Sequence, residues 1–363
     1  MNRTLSILAA ALALAASAAR ADVNIGISLP LTGPASGLGI PMKNYFALWP
    51  EKIAGEKVNL IIVDDATDPT KGVVNAKRFV TEDKVDIIGG SAATPVAAAM
   101  ADVAAESQTV QIAFSPVALP PGKDAWTFRL PQSTAVMAHA MVEHMKKNGV
   151  KTVGFLGYTD AYGESWLKDF TAVAEKAGIK VTATERFARS DTGVTGQALK
   201  LVSANPDAVL IVASGSGAAM PEMAVVERGY KGKIYQTHAA ATRDLMRVGG
   251  KAVEGTYYST YFSADNNAPE VQAFVQRYKK RWNNEAPEGV SALGYDAMYL
   301  IAAAIERAGT TQSAKLREAI ASTKDFPGVT GSTTIDSKRN SQKPAVMLTV
   351  RKGKTEFFEA VAP

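Results

Sequence analysis

Apolar, β-branched runs alternate with helical stretches along most of this chain, and that rhythm narrows the fold more than any other feature. VNIGISL, VNLIIVDD, VDIIGG and VQIAFS come in the first third, then KTVGFLG, IKVTATERF, DAVLIVAS and KGKIYQT. Continuous apolar strands separated by helices are the signature of parallel sheets covered on both faces, so the chain is α/β. The two sets are separated by SPVALPPGKDAWTFRLPQS (115–133), which is rich in proline, has no helical period and reads as a crossing between domains. After the second set come two amphipathic helices, PEVQAFVQRYKKRWNN and GVSALGYDAMYLIAAAIERAG. A third, TQSAKLREAIAST, ends near a Phe326-Pro327-Gly328 turn, and the tail reads as β-hairpin material. Helices without new strands must cover a sheet already formed. The chain is therefore expected to return to its first domain and cross again for the tail, three crossings in all.

VDIIGGSAATPVAAAM (85–100) is the most suggestive stretch. Val85 to Ile88 predicts a buried strand, and the alanine-rich run after Pro95 predicts a helix. Thr94 stands where an N-cap belongs and Pro95 where the first helical residue belongs. Two readings are open. Free N–H groups and the positive end of the helix suit an anion; equally, Gly89, Gly90 and Ser91 serve as a plain connector.

The first 21 residues have the form of a secretory signal peptide: Arg3 in a positive n-region, Leu5 to Ala18 as an apolar h-region, and Ala19-Arg20-Ala21 before a cleavage expected ahead of Asp22. An exported, periplasmic protein is expected. The absence of cysteine excludes a disulfide framework and a lipid-bearing cysteine. Without Arg3 and Arg20 the net charge of +5 falls to +3, spread along the chain, which argues against a nucleic-acid partner.

Catalytic motifs do not assemble. Gly215 to Met220 begins like a dinucleotide fingerprint but lacks the third glycine, and there is neither a GxSxG elbow nor a P-loop. His139 and His144 lie five apart on one helix, share no face and read as surface or packing residues. Asp64, Asp65 and Asp68 follow a strand end, where capping of the next helix is the favoured role. No cofactor, metal site or enzymatic activity is expected.

The motifs ISLPLTGPASGLG (27–39), VDDATDPTKGVVNAKRFV (63–80), IIGGSAATP (87–95), AFSPVA (113–118), YTDAYGESW (158–166) and VVERGYKGKIY (225–235) together resemble the periplasmic leucine/isoleucine/valine-binding proteins of ABC importers. The resemblance implies a type I periplasmic binding fold, two doubly wound parallel-sheet lobes joined by a three-stranded hinge. Lobe 1 is expected from 22–136 and 263–327, and lobe 2 from 137–262 and 328–363. It also implies a monomer that delivers one small carboxylate to a membrane permease. By the same resemblance, Ser91, Ala92 and Thr94 hold the ligand carboxylate, and Val117 and Ala118 continue the wall of the first lobe. Leu119 stands where relatives often place a hydroxyl, Leu38 completes the first-lobe contacts, and Tyr162 packs across the ligand from the second lobe. Tyr158 and Trp166 are open between site and core.

Two departures bear on the ligand. His238 takes the place of the second-lobe carboxylate that holds an amino acid's ammonium, and Ser214 takes the place of a tyrosine. Both favour a carboxylate without an ammonium and with a larger apolar body, such as a benzoate or phenylpropanoid acid. A branched-chain or other amino acid is the alternative ligand, and a signalling receptor the alternative role. A protonated His238 facing a carboxylate would make affinity fall as pH rises through its free value; a neutral ring would give little pH dependence.

Overall fold

The computed structural model describes residues 22–46 and 48–361; the expected signal peptide lies outside them. The first sheet contains β1 (Val23–Leu29), β2 (Lys52–Ile53), β3 (Glu56–Asp64), β4 (Ile87–Gly90), β5 (Val110–Ala113) and β6 (Thr127–Arg129) in the order β2-β3-β1-β4-β5-β6. Its strands are parallel apart from the short β2. In register, Leu29 stands opposite Asp64 and Ser28 opposite Gly90, so the ends of β1, β3 and β4 align along one edge. Helices α1 (Ser36–Phe46), α2 (Pro69–Thr81) and α3 (Thr94–Ser107) connect these strands.

The second sheet holds β7 (Thr152–Tyr158), β8 (Lys180–Phe187), β9 (Ala208–Val212), β10 (Lys233–Thr237), β11 (Tyr257–Thr260), β15 (Ala345–Arg351) and β16 (Lys354–Val361), ordered β16-β15-β11-β10-β9-β7-β8. Helices α4 (Thr134–Lys147), α5 (Ala161–Lys176), α6 (Thr195–Ser203), α7 (Ala219–Glu227) and α8 (Arg243–Gly249) belong to this half. The chain then returns through α9 (Pro269–Arg281), α10 (Gly289–Ala308) and α11 (Ser313–Ala321); α10 packs along α1 of the first half, its Gly294 against Met42 and Phe46.

A third, antiparallel sheet of β12 (Phe326–Gly328), β13 (Gly331–Ile335) and β14 (Ser341–Gln342) follows. Phe326-Pro327-Gly328 is thus a strand and not the turn expected from its sequence. β12 pairs with β13 alone, and proline is tolerated on such an edge because no second partner needs its missing N–H. Ser341 Oγ donates to Arg129 O at 2.8 Å and Gln132 Nε2 donates to Pro344 O, so the first and last crossings between sheets are tied side by side. Buried Lys343 donates to Thr330 Oγ1 at 2.6 Å, while Asp296 of α10 accepts from the Val329 and Thr330 N–H groups.

The turn after β4 needs its glycine. Gly90 has φ +113°, and a Cβ there would lie 2.0 Å from the Ser28 carbonyl oxygen. The strand begins at Ile87, two residues later than expected, and runs through both glycines. Thr94 is not the N-cap: Ala93 occupies that position, α3 starts at Thr94, and the turn is held by Ala93 N–H donating to Ser91 Oγ at 3.1 Å.

Candidate ligand-binding site

Segments from both sheets converge at the carboxyl ends of their parallel strands, where open α/β sheets bind ligands. Leu38, Ala92, Ala93, Thr94 and Ser115 come from the first half. Tyr162, Arg189, Ser214, His238 and Ala239 come from the second, just past β7, β8, β9 and β10. Together they line a nearly closed cavity, with about 10 Å³ of room for the centre of a water-sized molecule. Drug-sized pockets occupy roughly 300–1,000 Å³, so a ligand enters this one only when its walls move apart.

Arg189 is its main charged group. Its Nε donates to Asp160 Oδ2, its Nη1 donates to Ser214 Oγ at 2.8 Å, and its Cζ lies 4.2 Å from the centre of the Tyr158 ring. Nη2 has no partner among the described residues. Asp160 does two jobs: Oδ1 caps α5 by accepting from the Tyr162 and Gly163 N–H groups, and Oδ2 holds the guanidinium. Tyr162 is thereby fixed in the first turn of α5, with its hydroxyl 2.6 Å from Thr237 Oγ1.

On the facing wall, the Thr94 hydroxyl and N–H lack partners among the described residues; Pro95 has no N–H, and the Val96 and Ala97 N–H groups donate to Ala93 O. Ser91 sits behind this wall, fully buried. Its hydroxyl donates to Asp65 Oδ2 at 2.7 Å, and Ser28 Oγ donates to the same oxygen at 3.3 Å. Burial pushes the Asp65 carboxyl up to about 6. Asp65 is therefore not a helix cap. That role belongs to Asp68, which accepts from the Thr70 and Lys71 N–H groups, while Asp64 accepts from the Leu31 and Ala66 N–H groups.

His238 is 8% exposed. Its ring lies 5.8 Å from Tyr162, 6.3 Å from Trp166 and 5.6 Å from Tyr261, centre to centre. Burial pushes its pKa down to about 3, so the ring is neutral at physiological pH and the charged form entertained from the sequence does not arise there. Trp166 is core, stacked behind His238, and Tyr158 lies beneath Arg189 with its hydroxyl accepting from Ser214 N–H at 3.3 Å.

Of the residues expected at the site, Leu38, Ala92, Thr94, Tyr162, Ser214 and His238 meet at the cavity. Val117, Ala118 and Leu119 do not; they line a separate hollow with Arg129, Ser133 and Asp169. The reason is a tight turn: Val117 N–H donates to Ser115 O, Arg129 Nε donates to Val117 O at 3.0 Å, and Val117 packs on Ala97 and Ala113. Ser115 is the residue of this segment that reaches the cavity. Arg189 went unseen in the sequence because RFARSDTG reads as a polar loop. The available signal was its place, two residues past β8, like the other cavity residues that follow strand ends.

Two α/β halves, each carrying the chain from parallel strand ends onto one small enclosed cavity, define a solute-binding protein. The chain belongs to the periplasmic binding protein family, whose model matches residues 22–355. It is similar to a Leu/Ile/Val-binding protein homolog of Brucella melitensis, 28% identical over 336 residues that cover 88% of this chain and 89% of the relative. Among solved structures, an extracellular ligand-binding receptor from Rhodopseudomonas palustris is 38% identical with a TM-score of 0.89, covering 94% of this chain and all of the other. A leucine-binding protein from Thermotoga maritima is 27% identical with a TM-score of 0.87, covering 94% of this chain and 99% of the other. The family consists of periplasmic substrate-binding proteins of ABC transporters, not enzymes. Among the described residues there is no group of metal-ligating side chains, and no helix is long and apolar enough to cross a membrane.

Proposed function

We propose that this protein captures a small aromatic carboxylate, of the benzoate or phenylpropanoid type, and delivers it to its own membrane permease. One observation carries the reading: the cavity presents a guanidinium and a helix N-terminus, and no carboxylate side chain is among its lining residues. A carboxylate gains charge-assisted hydrogen bonds from Arg189 and from the Thr94 N–H and hydroxyl at the start of α3. An ammonium meets a neutral imidazole and the Arg189 guanidinium, whose charge Asp160 offsets only in part. The apolar body of the ligand packs on Leu38, Ala239 and the Tyr162 ring, with room left by Ser214.

The names of the Brucella and Thermotoga relatives support a second reading, a branched-chain amino acid. A thermal-shift panel of benzoate, 4-hydroxycinnamate, leucine and isoleucine separates the two. A ligand at about 100 times its dissociation constant adds roughly 2.7 kcal/mol of stability. The aromatic acids are expected to raise the melting temperature and the amino acids to leave it in place; the reverse pattern overturns the proposal.

A further inference from the structure

We infer that the ligand carries a hydroxyl as well as its carboxylate, and that His238 is the residue that reads it. This rests on the aromatic-carboxylate reading of the same cavity. His238 is held among Tyr162, Trp166 and Tyr261, and its Nδ1 is buried without a hydrogen-bond partner. Neither ring nitrogen is bonded to any described residue. Across the cavity the Ser115 hydroxyl is likewise buried and unpartnered. Buried polar atoms are usually paired, and of the unpartnered ones here these two belong to residues that line the same cavity, where a ligand can supply both partners.

The chemistry of the missing partner follows from the ring. A neutral imidazole offers one N–H donor and one bare nitrogen acceptor, and the group that can use either is a hydroxyl. A carboxylate can use only the donor and gains no ion pair here. The carboxylate has a better place at Arg189, and Tyr162 is close to both: its ring centre is 5.9 Å from the Arg189 Cζ and 5.8 Å from the His238 ring centre. A hydroxybenzoate ring beside Tyr162 with its acid on Arg189 has a ring hydroxyl to give to His238. A site built to bond a hydroxyl rejects the analogue that lacks it, because its own polar atoms then stay unpaired.

Titration calorimetry of benzoate, 3-hydroxybenzoate, 4-hydroxybenzoate and leucine against wild type, His238→Phe and His238→Gln tests the inference. Wild type is expected to bind at least one hydroxybenzoate tenfold or more tightly than benzoate. His238→Phe, which keeps the aromatic bulk, should bring that ratio close to one, and His238→Gln, which keeps donor and acceptor, should recover part of it. If the Phe variant does not fold, the Gln variant carries the test: it should retain a reduced preference. No hydroxyl preference in wild type, or a preference untouched by both substitutions, overturns the inference and leaves the aromatic-acid reading in place. Tight leucine binding with no binding of any benzoate overturns both.

Discussion

Arg189 concentrates the chemistry of the site in one side chain. Pinned by Asp160 and Ser214 over the face of Tyr158, it would meet the proposed carboxylate already oriented, with an N–H still to give. Arg189→Ala should weaken binding of the aromatic acid by about 1.5–3 kcal/mol in calorimetry. Lysine should restore little, because a point charge lacks the fork; unchanged affinity in the alanine variant would remove Arg189 from the site. A second residue-scale prediction concerns Glu222, buried on α7, where it accepts from Thr256 Oγ1 and Gln236 Nε2. Burial raises its pKa from 4.5 to about 7. The folded protein therefore keeps a proton that the unfolded chain releases, so this contribution to stability is full below about 4.5 and is lost as pH rises through about 7. Relative to wild type, Glu222→Gln should gain roughly 2–3 kcal/mol between pH 5 and pH 8 in urea unfolding. A flat difference would contradict the burial argument. At this scale the sequence was informative for Thr94, Tyr162, Ser214 and His238, which follow strand ends within motifs that the sequence itself displays. It was silent where the role depends on a partner distant in the chain, as Ser91 depends on Asp65 and Arg189 on Asp160.

The deciding element is the turn from β4 into α3. Ser91 and Asp65 lock the turn from behind, and Thr94, the first residue of α3, stands at the cavity with its hydroxyl and N–H free of partners among the described residues. Gly90→Ala places a Cβ against the Ser28 carbonyl at a positive φ, and should cost at least about 2–3 kcal/mol of stability together with ligand affinity. An alanine variant with wild-type unfolding would show that the turn has more freedom than its geometry indicates. The strands and helices of both halves were readable because hydrophobic runs and helical periods are local signals. Three details were not. The Ala93 N-cap lacks a capping side chain, the Val117 turn is fixed by Arg129 from another strand, and the β12 strand hides behind a proline that only an edge position allows.

Across the whole molecule the two halves meet around the cavity. Gly37 faces Gly215, and a Cβ on Gly37 would come 3.6 Å from the Gly215 Cα and 3.1 Å from Asp244 Oδ2. Nearby, Arg243 of α8 pairs with Glu285 and Glu288, just before α10, and its N–H donates to Glu288 Oε1 at 2.9 Å. These contacts tie the second sheet's half to the helices that cover the first. None of these residues lines the cavity, so Arg243→Ala should weaken ligand binding by speeding release, with a fewfold rise in off-rate by stopped flow and little change in on-rate. An unchanged off-rate would mean that the closed arrangement does not depend on this pair.

The central claim is that the cavity holds a carboxylate attached to an aromatic body and has no place for an ammonium. Competition tests it directly: protein saturated with its best-binding aromatic acid is titrated with leucine. The account predicts that leucine at a hundredfold excess leaves the acid bound. Stoichiometric displacement of the acid by leucine would contradict it.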